Sequence, residues 1–276
     1  MTTIALQPDA ADVVTAPPVP VRVRMAVADT LSIQWRNLLG YVRTPQLLVF
    51  STIQPVIFVL LFRYVFGGAV QSSIPGVPYV DYLMPGIFVQ TTVFGAIATA
   101  IGLATDVKSG FLERFRSLPM ARSAVLTGRT TADLTRNAFV SVLMAAVGFL
   151  VGFRIQTNIW GFIAGMLLVL LFGYCMCWIF ATVGLWLKDP ETAQAAAFPV
   201  MAPLVFASSC FVPVSSMPSW LQPFAEHQPV SVTANAVRAL MIGGPTTSYV
   251  MQCLAWCAVI LLVFAPLSVR LYRRAV

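Results

Sequence analysis

Six long apolar stretches limit what this chain can fold into more than any other feature of its sequence. They cover residues 47–66, 83–105, 134–153, 159–187, 193–211 and 250–271. About 20 apolar residues are needed for a helix to cross the ~30 Å hydrocarbon layer of a bilayer. Most of the stretches approach that length, although the third is short and the fourth is long. The pattern predicts an all-α polytopic membrane protein with six transmembrane helices.

The composition agrees with a lipid rather than an aqueous environment. The chain is 58% hydrophobic and 10% charged, whereas a soluble domain carries about 25% charged residues. A water-soluble fold could not cover that much apolar surface. The net charge of +7 therefore calls first for a membrane interpretation, and we expect no nucleic-acid partner.

The basic residues predict the orientation. Of the 17 Lys and Arg residues, 14 lie in the N-terminal region, the 106–136 connection, the connection with Lys188, and the C-terminus, and only Arg63, Arg154 and Arg238 lie on the other side. Cytoplasmic loops collect basic residues. Six spans then place both termini in the cytoplasm, in a multi-pass protein of the bacterial plasma (inner) membrane.

Catalytic and cofactor motifs are absent from the sequence. There is no G-x-x-x-x-G-K-[ST] motif, so we expect no nucleotide hydrolysis by a P-loop. His227 stands alone, and no Ser-His-Asp arrangement is recognisable. The five cysteines fall in or beside apolar stretches without metal-site spacing, which favours packing roles. The sequence predicts no enzyme activity, metal or cofactor for the chain alone.

Two cytoplasmic segments do not cross. Residues 1–25 read as a disordered tail, and residues 26–276 as the transmembrane domain. Within residues 26–41, Val27, Leu31, Trp35 and Leu38 recur at helical spacing. With Arg36 beside Trp35, this favours an amphipathic interfacial helix over an ordinary solvated one.

The connection from Asp106 to Arg136 is patterned. Phe111, Leu112 and Phe115 form a small apolar face among charges, and Pro119 breaks the helix. A short helix, a break and a new helix would make a compact shape able to dock into a partner. Composition alone leaves open whether this is a docking element or a basic loop obeying the positive-inside rule.

The connection between spans five and six faces outside in this topology. Pro229 can begin a helix and Gly243-Gly244 can end it. We predict a pair of short helices here, dipping into the membrane edge.

The six stretches contain no Asp, Glu, Lys or His, which counts against an ion-coupled transporter. Neutral polar groups within them suit a hydrophobic or amphipathic substrate. The candidate substrate-path residues are Gln54, Gln90, Thr91, Thr92, Ser208 and Ser209.

Several motifs resemble those of the ABC-2 type permeases, in particular the daunorubicin-resistance type of exporter membrane subunit. These motifs are Gln54-Pro55-Val56-Ile57-Phe58, Phe66-Gly67-Gly68, Tyr82-Leu83-Met84-Pro85-Gly86-Ile87, Gly110 through Ser123 (GFLERFRSLPMARS), and Gly128 through Arg136 with Asp133. The resemblance covers nearly the whole chain after Ala26.

This resemblance implies a permease that forms half of a transmembrane pore. A second permease chain, as homodimer or heterodimer, and a separate ATPase subunit that binds ATP and Mg would complete it. The helix at 26–41 would be the family's connecting helix, and the outer helices would be re-entrant. The coupling helix between spans two and three would touch the ATPase. The ATPase-coupling residues implied are Phe111, Glu113, Arg114, Phe115, Arg116, Leu118, Pro119 and Arg122.

The function implied is export of a drug, antibiotic or lipid-like molecule from the cytoplasm or inner leaflet. An ion-coupled secondary transporter or channel is the alternative. A lipid-modifying membrane enzyme would need a cluster of catalytic side chains at one interface, and the sequence offers none.

Overall fold

A computed structural model describes residues 19–43, 45–71, 76–110 and 122–275 of the chain. This part of the chain is helical, without strands. Its α-helices are α1 (Val19–Arg43), α2 (Pro45–Leu60), α3 (Gly67–Gln71), α4 (Tyr79–Lys108), α5 (Arg122–Val151), α6 (Ile159–Leu187), α7 (Pro190–Phe206), α8 (Gln222–His227), α9 (Pro229–Ile242) and α10 (Thr246–Ala275). A π-helical turn, Leu61–Val65, extends α2, and a 3₁₀ turn occupies Val214–Ser216.

Four helices of the described chain are long and apolar enough to cross a membrane. They are Tyr79–Lys108, Leu126–Val151, Ile159–Leu187 and Thr246–Arg274. The stretch Ser51–Val65 is a shorter apolar helix, and α7 has 17 residues, or about 25 Å at 1.5 Å per residue. The chain is therefore a multi-pass membrane protein. The helices that correspond to the first and fifth predicted spans are shorter than the other four.

Contacts between helix ends show that the long helices run antiparallel. At the end of the bundle where α4 begins, which we name the Tyr79 end, Asp81 accepts a hydrogen bond of 2.9 Å from the backbone N–H of Arg154, between α5 and α6. The Tyr79 hydroxyl also donates to the carbonyl of Phe211, just after α7, at 2.9 Å. The end of α5, the start of α6 and the end of α7 therefore lie together.

The opposite end, which we name the Lys108 end, gathers the other termini. Lys108 closes α4 and lies 2.7 Å from Asp189 at the start of α7. Near the end of α10, the buried Tyr272 packs in one apolar cluster with Ile33 of α1 and Leu126 of α5. Helices α1 and α10 therefore place the two terminal regions at the same end of the bundle.

The core forms around α4 and α6, which pack closely along their length. Gly184 makes this possible, because a Cβ there would collide with the backbone carbonyl of Ala100 on α4. All five cysteines are buried, as expected of small apolar packing residues. Small residues such as Gly184 thus let α4 and α6 approach closely, as in other membrane helices.

Several predicted limits need correction. Helix α1 begins at Val19, so the predicted disordered region 1–25 is helical from there, because proline is tolerated in the first turn. The predicted third span, 134–153, is part of a helix that begins at Arg122, since no proline separates Ser123 from Leu134. The predicted fifth span, 193–211, is helical only from Pro190 to Phe206.

The loop before α10 matches its sequence pattern. Helix α9 begins at Pro229 and ends at Ile242, and Gly243 follows with φ of 100°, a conformation that favours glycine. Val232, Ala236 and Val237 of α9 are buried against the bundle.

Candidate functional site

Most of the residues predicted to contact an ATPase lie between residues 110 and 122, outside the part of the chain that the structure describes. Phe111, Glu113, Arg114, Phe115, Arg116, Leu118 and Pro119 lie outside the described residues, and Arg122 is described only as the first residue of α5. Their roles stay predictions. What the structure describes is the pair of helices on either side of this segment, α4 ending at Lys108 and α5 beginning at Arg122.

A group of charged side chains joins these two helices at the Lys108 end. Arg129 Nη1 of α5 lies 3.1 Å from Asp106 Oδ2 of α4, and Arg129 Nε lies 3.8 Å from Asp133 Oδ2 one turn along. Thr99 of α4 donates a 2.6 Å hydrogen bond to the same Asp133 oxygen. Arg36 of α1 approaches Asp106 to 3.9 Å. We name these five residues the Arg129 cluster.

The Arg129 cluster is largely shielded from solvent. The side chains of Arg129, Asp106 and Asp133 are 15%, 17% and 0% exposed. Gly102 makes room for it, since a Cβ at that position would overlap the Arg129 guanidinium. Removing one member of a buried ion pair strands the remaining charge at a cost of about 3–5 kcal/mol. The cluster therefore fixes α4 and α5 to each other next to the undescribed segment.

A second, exposed pair lies at the same end. The Lys108 ammonium donates a 2.7 Å hydrogen bond to Asp189, which also accepts from the backbone N–H of Thr192 at 2.9 Å. Asp189 is thus the N-cap of α7, as its sequence position indicates. The Lys108 hydrogen bond and the Thr192 donors lower the pKa of Asp189 to about 2.

Helix α1 presents its predicted apolar face outward. Leu31 and Trp35 are 58% and 65% exposed, whereas Ile33 on the opposite side is buried. Gly128 of α5 lies directly against Thr30 and Ile33. An outward apolar face on a helix beside the bundle is the arrangement that an interfacial helix requires.

The candidate substrate-path residues separate into different places. Gln54 and Thr91 line a cavity of about 220 Å³ between α2, α4 and α5, together with Arg136 and Asn137. The guanidinium of Arg136 donates to the carbonyl of Gly95 on α4 and to Asn137 Oδ1 at 3.3 Å. We name this the Arg136 cavity.

The other path residues lie elsewhere. Thr92 donates to Val89 of its own helix at 2.8 Å and packs against Gly173 of α6, and Gln90 is buried. Ser208 and Ser209 are buried at the Tyr79 end. The structure does not bring the six residues into one continuous lining, and the path stays a prediction.

Arg238 organises the Tyr79 end, a role that its sequence position did not suggest. It is 6% exposed, and its guanidinium carbon lies 3.7 Å from the ring centroid of Tyr82. It donates to the carbonyl of Tyr82 at 2.9 Å, to Asn235 Oδ1 at 2.8 Å and to the carbonyl of Cys210 at 3.0 Å. One side chain thus joins α9, α4 and the turn after α7.

The Arg238 contacts border a polar cleft. The cleft has a volume of about 560 Å³, and its lining includes Ser209, Asn235, Glu226 and His227. The signal that could have found this site is the pairing of Arg238 with Asn235 three residues earlier, on one face of a helix without other charged residues.

The six predicted stretches contain no Asp, Glu, Lys or His, but the apolar helix that the structure describes around the third stretch is longer and includes a carboxylate. The apolar stretch of α5 is Leu126–Val151, and it includes Asp133 and Arg136, both buried. Asp133 lies one residue before the predicted span, which is why the composition argument missed it.

Comparison with known proteins identifies the family. Residues 29–242 match the family described as ABC-2 type transporter. The chain belongs to the ABC-2 type transporter family. It is 36% identical over 248 residues to the daunorubicin resistance ABC transporter permease protein of Streptomyces coeruleorubidus, covering 90% of this chain and 87% of that protein.

Two permeases of Mycobacterium tuberculosis are also similar. The probable doxorubicin resistance ABC transporter permease protein DrrC is 29% identical over 255 residues, covering 91% of each chain. The doxorubicin resistance ABC transporter permease protein DrrB is 30% identical over 172 residues, covering 62% of this chain and 59% of that protein. As an ABC-2 family member, this chain is a membrane subunit of a transporter rather than an enzyme by itself.

Proposed function

We propose that this ABC-2 permease exports a hydrophobic or amphipathic substrate, such as a drug, antibiotic or lipid-like molecule, from the cytoplasm or inner leaflet. A separate ATPase subunit, which binds ATP and Mg, supplies the energy. Relatives that are named as daunorubicin and doxorubicin resistance permeases support a drug-like substrate. Family membership weighs against the alternative of an ion-coupled transporter, even though Asp133 is buried.

The observation that carries the coupling role is the Arg129 cluster. It ties α4 to α5 next to both ends of the segment 111–121, so force applied to that segment reaches two long helices together. In our proposal, ATP closes the ATPase dimer and pushes the region from Glu113 to Arg122. Glu113, Arg114 and Arg116 contact the ATPase through charge-assisted hydrogen bonds. Helices α4 and α5 move with the segment and open the path outward.

We propose six spans, formed by α2, α4, α5, α6, α7 and α10, with both termini in the cytoplasm of the bacterial inner membrane. The antiparallel order of helix ends supports this count. The Lys108 end, which carries most of the basic residues, is then cytoplasmic. Helices α8 and α9 lie at the outer edge as re-entrant helices, and α1, with Trp35 and Arg36, lies in the inner interface.

A second permease chain completes the pore in this proposal, as a homodimer or a heterodimer. Exposed apolar side chains on α2 and α7, including Ile57 and Phe198 at 53% and 57% exposed, are available to a second chain or to lipid. The two M. tuberculosis relatives are distinct permeases of one organism, which makes a heterodimer a reasonable arrangement to test.

Co-purification tests the proposal. The tagged full-length chain is expressed in its own host and purified in detergent, and a soluble ATPase should co-purify with it. When the complex is reconstituted into vesicles, it should hydrolyse ATP faster with substrate present. A second permease in the preparation would decide between homodimer and heterodimer. Transport that proceeds without any ATPase and follows a proton or sodium gradient would contradict the proposal.

A further inference from the structure

An apolar groove lies on the surface of the bundle between α5 and α6. Its volume is about 450 Å³, and its lining side chains, between Ala138 and Phe149 on α5 and between Phe162 and Leu170 on α6, are all apolar. Val142 and Leu167 in its walls are 67% and 61% exposed. We name it the α5–α6 groove. A groove of this volume is as large as sites that hold small-molecule ligands, which measure about 300–1,000 Å³.

The length of the groove matches one leaflet of a bilayer. Ala138 and Phe149, at its two ends on α5, are separated by about 16 Å at 1.5 Å per residue. Half of the ~30 Å hydrocarbon layer is about 15 Å. Ala145 and Ala146 also lie in the α5 wall, and their short side chains leave a depression beside the larger residues. The shape therefore suits an extended acyl chain.

The groove ends at a cation. Arg154 Nη1 donates to the carbonyl of Phe149 at 3.3 Å and to the carbonyl of Phe153 at 3.0 Å, so the guanidinium lies beside a residue whose ring lines the groove. The rings of Phe149 and Phe162 lie 5.8 Å apart and join the two helices at this end. Arg154 lies in the connection between two helices that are long and apolar enough to cross the membrane, which places it at the level of lipid headgroups.

The Arg154 guanidinium keeps donors for a ligand. The side chain is exposed, and within the described chain Nε and Nη2 make no hydrogen bond and the residue forms no ion pair. Asp81 accepts instead from the Arg154 backbone N–H and from the Gln156 amide, at 2.9 Å each. Two carbonyl contacts hold the guanidinium in place, and such a planar group binds phosphate oxygens through parallel hydrogen bonds.

A tryptophan at the same level agrees with a headgroup position. Trp160, in the first turn of α6, is 75% exposed. Tryptophan is enriched where the hydrocarbon meets the headgroups, because its ring is apolar and its N–H is polar. The Tyr79 end of the groove therefore combines a cation and an interfacial aromatic residue above an apolar depression.

We propose that the α5–α6 groove binds an anionic phospholipid, with the phosphate on Arg154 and one acyl chain along the groove. A free anion would leave the apolar depression unused, and a second protein chain would find no polar partner along the described lining. The lipid is a resident of the site rather than a cargo, so the inference does not rest on the proposed export function. Arg154 takes no part in ATPase coupling or in the predicted substrate path.

Native mass spectrometry tests the headgroup contact. The full-length chain is purified in detergent, and binding of the first added phosphatidylglycerol or phosphatidylcholine is measured. Wild type should bind phosphatidylglycerol about tenfold more tightly, a difference of ~1.4 kcal/mol. Arg154→Gln should abolish this preference. The matched control is Arg63→Gln, which removes a like charge from the π-helical turn after α2 and should preserve it.

A second substitution tests the groove. Ala146 is exposed and lines the groove, so the ring of Ala146→Phe fills the depression without entering the core. This variant should bind phosphatidylglycerol about tenfold more weakly although Arg154 is present. The control is Ala258→Phe, at an exposed position of α10 outside the groove, which should bind as wild type does. Thermal unfolding in detergent verifies that each variant is folded.

The wild-type comparison does not depend on how variants fold, and equal binding of the two lipids would overturn the proposal. Unchanged phosphatidylglycerol binding in folded Arg154→Gln or Ala146→Phe would also overturn it. Dimers of the chain that dissociate in Ala146→Phe would identify a second copy as the occupant, and loss of ATP-driven transport in Arg154→Gln would identify a cargo. Either result would exclude a resident lipid. Failure of an ATPase to co-purify, with phosphatidylglycerol binding intact, would contradict only the proposed export function.

Discussion

Arg129 of α5 holds Asp106 of α4 at 3.1 Å, and this contact lies beside the two ends of the segment predicted to meet the ATPase. Both side chains are mostly buried, and Asp133 shares the same guanidinium. The pair thus makes the ends of α4 and α5 one mechanical unit. A mutation that breaks it should affect both stability and coupling.

Arg129→Ala should lower the free energy of unfolding by about 3–5 kcal/mol, because it removes the cation that Asp106 and Asp133 share and leaves Asp106 only the more distant Arg36. Thermal unfolding in detergent measures this. Lys108→Ala, which removes an exposed ion pair at the same end, is the matched control and should change stability little. Equal effects of the two substitutions would contradict a special role for the Arg129 cluster.

Gly102→Ala should act on the same contact from the opposite helix. The added methyl group overlaps the Arg129 guanidinium and must displace it from Asp106, at about 1–3 kcal/mol as for other overpacked sites. Gly68→Ala serves as control, since a Cβ there meets no atom within 4 Å. In an Arg129→Ala background the Gly102→Ala effect should nearly vanish, which a double-mutant cycle would measure.

The double substitution Glu113→Ala with Arg116→Ala should abolish ATP-driven transport while membrane insertion remains. These charged side chains are the groups proposed to bind the ATPase through charge-assisted hydrogen bonds. Transport in vesicles and pull-down of the ATPase measure the two effects separately. A control pair at the Tyr79 end, Arg154→Ala with Glu226→Ala, should leave both intact. Normal transport in the Glu113 and Arg116 variant would remove the coupling role from this segment.

The sequence predicts the helices better than their ends. Long apolar runs determine where α4, α6 and α10 lie, because the bilayer length and the helical rise admit few alternatives. Helix limits depend instead on local features, such as the continuity of Ser123 through Leu134 or the early end of α7. Those features are not visible in hydrophobicity alone.

The polar sites were harder to predict because each joins distant parts of the chain. Arg136 meets Gly95, and Arg238 meets Tyr82 and Cys210, across many residues of sequence. Counting charges by loop assigned Arg238 to an outer connection and Arg136 to an inner one. Only the packing of α4 against α5 and α9 shows that both guanidinium groups are buried against backbone carbonyls.

Asp189→Asn should produce a small, pH-dependent loss of stability. The pKa of Asp189 is about 2 in the folded chain and ~3.9 when unfolded, so its contribution is complete above pH ~4 and is lost as the pH falls toward 2. The difference in unfolding temperature between wild type and Asp189→Asn should follow that window. Because the pair is exposed, added salt should shrink the difference. A difference that is as large at pH 2 as at neutral pH would contradict this ion-pair origin.

Arg238→Ala should destabilise the Tyr79 end by about 2–4 kcal/mol, because the carbonyls of Tyr82, Ser209 and Cys210 lose a buried donor. Arg238→Lys should recover only part of this, since an ammonium cannot reproduce the planar array of donors or stack as well on Tyr82. Hydrogen exchange in α9 is the sharpest measurement and should rise in both variants. Arg154→Ala provides the control at the same end, and faster exchange of α9 in that variant would show that the effect is not specific to Arg238.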